Sequence, residues 1–187
     1  CLMEGLNRSI NGILIASGFL FLILSSILVW QRYAPRPLLS ESSATHAIYP
    51  TSIRIPSIGV KLPIIPSQFT NNQFQTTNDG VSYLASTPLP GTIGNSVMYG
   101  HNWPNLLGDL PKIKTGDLIV VEQGNKITRF TVAFINVVSA NETHVQQNTN
   151  DIRLTIYTCT GFFDSKRFVV TAIVDPKTAS SLPKKSV

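Results

Sequence analysis

Cysteine is nearly absent from this chain, with Cys1 and Cys159 the only two in 187 residues. Charge is sparse as well: Asp, Glu, Lys and Arg make up 13% of the sequence, with ten acidic residues against fifteen basic ones. The eight carboxylates between Ile48 and Pro176 are scattered. That is a poor start for calcium, which takes about six to eight oxygen ligands, so neither a metal nor a cofactor is expected. No basic stripe interleaved with aromatics exists either. Ile48–Pro176 holds nine Lys/Arg against eight Asp/Glu, and the rest of the +5 net charge sits in the two flanks. Nucleic-acid binding is therefore disfavoured, whereas cations flanking an apolar run suit anionic lipid headgroups. There is no internal repeat, and the length fits one domain with appendages.

The apolar residues that are present are unevenly placed. No charge occurs from Ser9 to Gln31, and 15 of the 21 residues Ile10–Trp30 are apolar. A helix of that length spans about 31 Å, enough for a bilayer core. The run is longer than a cleaved signal's apolar stretch and lacks a small-residue cleavage pattern, while Trp30 and Tyr33 suit an interface. The expected organisation is a cytoplasmic stub over 1–9 and a single-pass transmembrane signal-anchor over 10–30. An extracellular stalk over 31–51, a folded domain over 52–176 and a flexible tail over 177–187 follow. Cys1 and Cys159 would then lie on opposite sides of the membrane and leave Cys159 a free thiol in a compartment that oxidises thiols. Such a thiol has to be buried or used.

Within the domain the pattern is strand-like. Ser52–Ile55, Gly59–Ile65, Asn95–Tyr99, Leu118–Glu122, Ile127–Val138, Ile152–Thr158 and Phe168–Val174 read as short strands between turn residues. Lys114–Asp117 and Gly124-Asn125 are turns. Helical signal is confined to Asn78–Ala85 and Asn105–Leu110. About eight strands at this spacing argue a mainly β fold, a closed or nearly closed antiparallel-dominated barrel first and a sandwich second.

The last two strands raise a chemical possibility. In the simplest antiparallel register Cys159 faces Arg167, and directly opposed side chains share a face. A guanidinium beside a thiol lowers the thiol pKa and can later hold an oxyanion. A thiol nucleophile also needs an acid/base group. His46 lies in the stalk and His144 in a polar surface run, whereas His101 follows the apolar strand end Val97-Met98-Tyr99. The competing reading makes Cys159 a small buried hydrophobe, Arg167 a solvated charge and His101 an ordinary loop residue.

A family resemblance bears on that choice. Thr155-Ile156-Tyr157-Thr158-Cys159 resembles the T-L-x-T-C strand end of sortases, with Ile156 for the usual Leu, and Arg167 follows at the family's distance. Gly94–His101 is similar to the sortase G-N-x-V-x-x-G-H segment, Leu110–Asp117 to its L-x-x-l-k-x-G-D turn, and Ile53–Val60 to its first strand pair. The resemblance covers nearly all of Ile53–Val174. It implies a membrane-anchored cysteine transpeptidase on a sortase-type β-barrel with one or two short helices. By that resemblance Cys159 forms a thioacyl intermediate, His101 acts as general acid then base, and Arg167 steadies oxyanion and substrate. Thr158 is a lesser candidate for orienting substrate. The implied substrates are surface proteins with an L-P-x-T-G-like sorting signal, and the acceptor is an amine of a peptidoglycan precursor or a pilin lysine. A thiol hydrolase releasing to water and a non-catalytic, membrane-anchored surface β-domain are the alternatives.

Overall fold

The computed structural model describes residues 2–33, 49–70, 73–142 and 144–174, in two compact units divided after Pro35. His46, most of the expected stalk and all of the expected tail lie outside the described residues. The first unit is one helix, α1 (Leu2–Tyr33), which is longer than the expected span. Among the described residues no helix is long and apolar enough to cross a membrane.

The second unit is a closed barrel. Its strands are β1 (Ser52–Ile55), β2 (Val60–Ser67), β5 (Val81–Leu84), β6 (Gly94–Gly100), β7 (Leu118–Gln123), β8 (Lys126–Ser139), β9 (Ile152–Thr160) and β10 (Lys166–Val174). A separate two-stranded ribbon, β3 (Phe69–Thr70) and β4 (Gln73–Phe74), lies between β2 and β5 in sequence. Around the barrel the order is β1-β2-β5-β6-β9-β10-β8-β7, with β7 pairing back to β1. Neighbours are antiparallel except β2/β5 and β6/β9.

Local chemistry sets the turns. Pro56 opens a 3₁₀ turn capped by Gly59, whose left-handed φ of 68° lets β1 fold back on β2. In the turn before β7, the Asp117 carboxylate accepts hydrogen bonds from the Lys114 backbone N–H and the Ser57 hydroxyl. Those two bonds hold its pKa below the ordinary carboxylate value.

Two expectations fail here. Asn78–Ala85 is not helical, because β5 is buried along its whole length between β2 and β6. Burial on both faces removes the alternation that marks a strand in sequence. Asn105–Leu110 forms turns leading into a 3₁₀ turn at Leu110–Lys112. Among the described residues of the barrel unit, the short helices are all of the 3₁₀ kind.

Inward-facing side chains fill the barrel, among them Ile53, Met98, Phe130, Leu154, Ile156 and Val170. A second apolar cluster lies outside it, on the faces of β5, β6, β9 and β10: Leu84, Val97, Tyr99, Tyr157 and Val169. Phe130 and Phe134 sit on the same strand yet differ in burial, at 0% and 59% exposure. Phe130→Ala is therefore expected to cost about 3–5 kcal/mol in unfolding free energy. Phe134→Ala should stay within about 0.5 kcal/mol. Denaturant midpoints of the two variants at equal m-value check the contrast.

Candidate active site

Antiparallel pairing of β9 with β10 sets Cys159 directly opposite Arg167, the register read from the sequence. Parallel pairing of β6 with β9 sets Gly100 beside Thr158. The next residues are His101, just past the end of β6, and Cys159 on β9, and neighbouring strands lie about 4.8 Å apart. Thiol and guanidinium thus come from adjacent strands, and the imidazole from the residue that leaves the third, at one end of the barrel. By alternation they share the outer face with Tyr99, Tyr157 and Val169.

Thr158 belongs to the opposite face. It is 1% exposed, and its hydroxyl donates to the Gly100 carbonyl at 2.9 Å. The hydroxyl of this candidate for orienting substrate points into the barrel and ties β9 to β6, because a residue next to Cys159 must face the other way. His144 is exposed at the start of a 3₁₀ turn, 2.8 Å from Glu142.

The electrostatics also differ from expectation. Burial pushes the half-buried Cys159 thiol above its ordinary pKa; Arg167 draws it down, and Asp164 pushes it up again. The guanidinium acts in the anticipated direction but does not win, since desolvation of a thiolate outweighs one partly solvated cation. Arg167 is also engaged in the connection: its Nη1 donates to the Asp164 and Lys166 carbonyls at 2.8 and 3.0 Å. Its Nε and Nη2 carry the remaining donors of the fork.

Several features of the site were not read from the sequence. The Trp103 indole stacks on the His101 imidazole, with centroids 4.6 Å apart and planes 14° from parallel. Tyr99 and Tyr157 stack at 5.4 Å directly behind His101 and Cys159. The Tyr99 hydroxyl donates to the Gln75 carbonyl and shares a hydrogen bond with Ser67. Burial holds both phenols above their ordinary pKa, Tyr157 more than Tyr99, so they are neutral packing beneath the site rather than acid or base. In the β9–β10 connection Phe163 and Asp164 take left-handed φ values of 50° and 56°, uncommon for non-glycine residues. The Arg167 bond to the Asp164 carbonyl braces that turn, at whose tip Phe162 and Phe163 are exposed. Only the Tyr pair had a legible signal: both precede a candidate residue by two, which in a strand means the same face.

Taken together, this is a strand-borne thiol with a cation on one side and an imidazole on the other, the group set of a cysteine enzyme that transfers or hydrolyses acyl groups. The family model of the sortase domain matches residues 53–174, nearly the whole barrel. The chain belongs to the sortase family. It is 30% identical over 122 residues to sortase A of Listeria monocytogenes, covering 63% of this chain and 53% of that one. The chain thus spans about half the length of this curated relative. The solved structure of Listeria monocytogenes sortase A superposes with a TM-score of 0.57 at 29% identity, covering 67% of this chain and 86% of that one. Sortase C-1 of Actinomyces oris gives 0.56 at 28%, covering 67% and 73%. Similarity is thus shared evenly between an A and a C sortase.

A raised thiol pKa has a direct signature. Since the thiolate is the nucleophile, alkylation of Cys159 should be slower near neutrality than for a free thiol and should rise only at alkaline pH. Asp164→Asn removes a repelling charge and should shift the midpoint down, while Arg167→Gln should shift it up. Iodoacetamide rates from pH 6 to 11, with Cys1 replaced by Ser, measure all three.

Proposed function

We propose that this protein is a cysteine transpeptidase that cleaves an L-P-x-T-G-like sorting signal and passes the acyl chain to an amine. The observation that carries the reading is the meeting of His101, Cys159 and Arg167 at adjacent strand ends, supported by membership in the sortase family. Cys159 attacks the peptide carbonyl, forming an S–C bond as its proton passes to His101. Arg167 offers its free donors to the developing oxyanion, a contribution of about 3–4 kcal/mol for one such contact. His101 then protonates the departing nitrogen. An incoming amine loses its proton to His101 and displaces sulfur, giving a new amide and the resting thiol. Because the thiol rests above its ordinary pKa, His101 has to take its proton during attack, which makes the imidazole indispensable.

The partners in this reading are surface proteins bearing the sorting signal and an amine of a peptidoglycan precursor or a pilin lysine. The domain acts outside the cell, anchored at the cell membrane through the apolar residues of α1. A hydrolase would release the same acyl group to water, and the two are told apart by whether an added amine speeds turnover.

Cys159→Ala should abolish cleavage of a quenched L-P-x-T-G-type peptide. His101→Ala should lose most activity, whereas His144→Ala retains it. Arg167→Lys keeps the charge without the planar fork and should fall by about 10²–10³ in kcat. Residual turnover within tenfold of wild type in Cys159→Ala would sink the mechanism. The expected pH profile is a bell.

Anchoring has its own test. Full-length protein should stay with membranes through alkaline carbonate washing and expose its domain to added protease on the outside. Removal of residues 1–33 should release it. Release of the full chain by carbonate would exclude a spanning anchor.

A further inference from the structure

An indole lies flat against the imidazole of the site. The Trp103 ring stacks on His101 with centroids 4.6 Å apart and planes 14° from parallel. The loop that leaves β6 is built to hold it there. The His101 carbonyl accepts from the Leu107 N–H at 3.2 Å, and the Trp103 carbonyl accepts from the Leu106 and Gly108 N–H groups at 2.9 and 2.8 Å. Leu106, Leu107 and Leu110 are buried in the barrel core, and Trp103 packs against the same cluster. A Cβ on Gly108 would lie 2.6 Å from the Trp103 carbonyl oxygen, so the turn closes this tightly only with glycine there. The core holds the indole, and the indole's stacked face meets the imidazole.

A ring in that position does more than fill space. An indole is negative over its face, so a cation within about 6 Å of the centroid is favoured over a neutral group. Imidazole is neutral in one protonation state and cationic in the other, and a face-on indole therefore favours imidazolium. The nucleophile needs such help, because burial holds the Cys159 thiol above its ordinary pKa. In the acyl-transfer reading the S–H bond breaks as an imidazole nitrogen takes the proton, leaving thiolate and imidazolium side by side. Stabilising the imidazolium brings the two groups closer in proton affinity, which eases the transfer.

Other groups at this end of the barrel bear on the same equilibrium. Arg167 on β10 opposes a second cation, whereas a Cys159 thiolate and Asp164 in the β9–β10 connection favour it. On the other flank, the β5–β6 register continued by two residues sets Gly80 level with His101, which brings Asp79 to this end as a further anion. Asp109 in the same loop as His101 is paired with Lys112 at 2.9 Å. Tyr99 and Tyr157 lie beneath as neutral phenols. A substitution at Trp103 leaves all these charges in place, so a difference between variants belongs to the indole.

We propose that Trp103 is a positioning residue for His101, holding its ring flat and favouring the protonated form through which acyl transfer passes. The inference rests on the acyl-transfer reading of Cys159. It is tested on the full chain by NMR of the histidine rings from pH 4 to 10, the His101 signal being assigned by its loss in His101→Gln. Cys159→Ala serves as the background, so that the imidazole titrates without a coupled thiol. Trp103→Leu should lower the His101 pKa by about one unit, the size of a lost cation–π contact. Trp103→Phe keeps a π face and should recover about half of that shift. The His144 titration should not move.

Because Trp103 packs on the core, a second arm preserves its shape. Biosynthetic replacement of tryptophan by tetrafluorotryptophan withdraws charge from the ring face and should lower the His101 pKa with the fold unchanged. The one other tryptophan, Trp30, lies in α1. With Cys159 restored, the acid limb of kcat/KM for the quenched peptide should move down together with the imidazole pKa. An unchanged His101 pKa in the fluorinated protein overturns the proposal, since a ring that only packs would behave that way. A lowered pKa without cleavage of any peptide would sink the acyl-transfer reading and keep the coupling of the two rings. Cleavage with an unmoved pKa would do the reverse.

Discussion

Everything at the site depends on the register between two parallel strands, β6 and β9. Seven residue pairs, from Gly94 with Ile152 to Gly100 with Thr158, carry His101 and Cys159 to the same level. In a strand a slip of one residue turns every side chain to the other face. Cys159 would then point into the barrel and Thr158 out of it. Two buried polar contacts oppose such a slip, one at each end of the pairing: Thr155 to Asn95 at 2.7 Å and Thr158 to the Gly100 carbonyl at 2.9 Å. A hydroxyl in an apolar interior is costly to leave unpaired, so each contact penalises any other alignment more than it stabilises this one.

The same logic separates what was legible in the sequence from what was not. Cys159 and Arg167 are joined by a short connection, and β alternation alone sets them opposite; their pairing is a local fact, and it was readable. His101 meets Cys159 only through a parallel pairing between strands distant in sequence, which no local pattern encodes. That match came from the likeness of Gly94–His101 and Thr155–Cys159 to sortase segments. β5 escaped because burial on both faces erases the period-two signal. The inward orientation of Thr158 followed from its adjacency to Cys159 and was legible in principle. The sign of the thiol's pKa shift was not, because it turns on how far burial outweighs a guanidinium whose Nη1 is spent on two backbone carbonyls.

That balance shapes the resting thiol. A thiol held above its ordinary pKa is mostly protonated near neutrality, and a protonated thiol is a poor target for oxidants. Burial thus shields the single cysteine of the barrel from oxidation. The neutral, stacked Tyr99 and Tyr157 extend this low-polarity surround without adding a competing acid.

Closure of the barrel has a consequence for recognition. Around Cys159 both edges of β9 are taken, by β6 and by β10, so β9 offers no row of unpaired backbone N–H and C=O groups there. A chain approaching the thiol cannot add to β9 as one more strand, the mode in which main-chain hydrogen bonds give affinity almost regardless of sequence. It is met instead by side chains and loop groups, so discrimination at this point falls to residues rather than backbone.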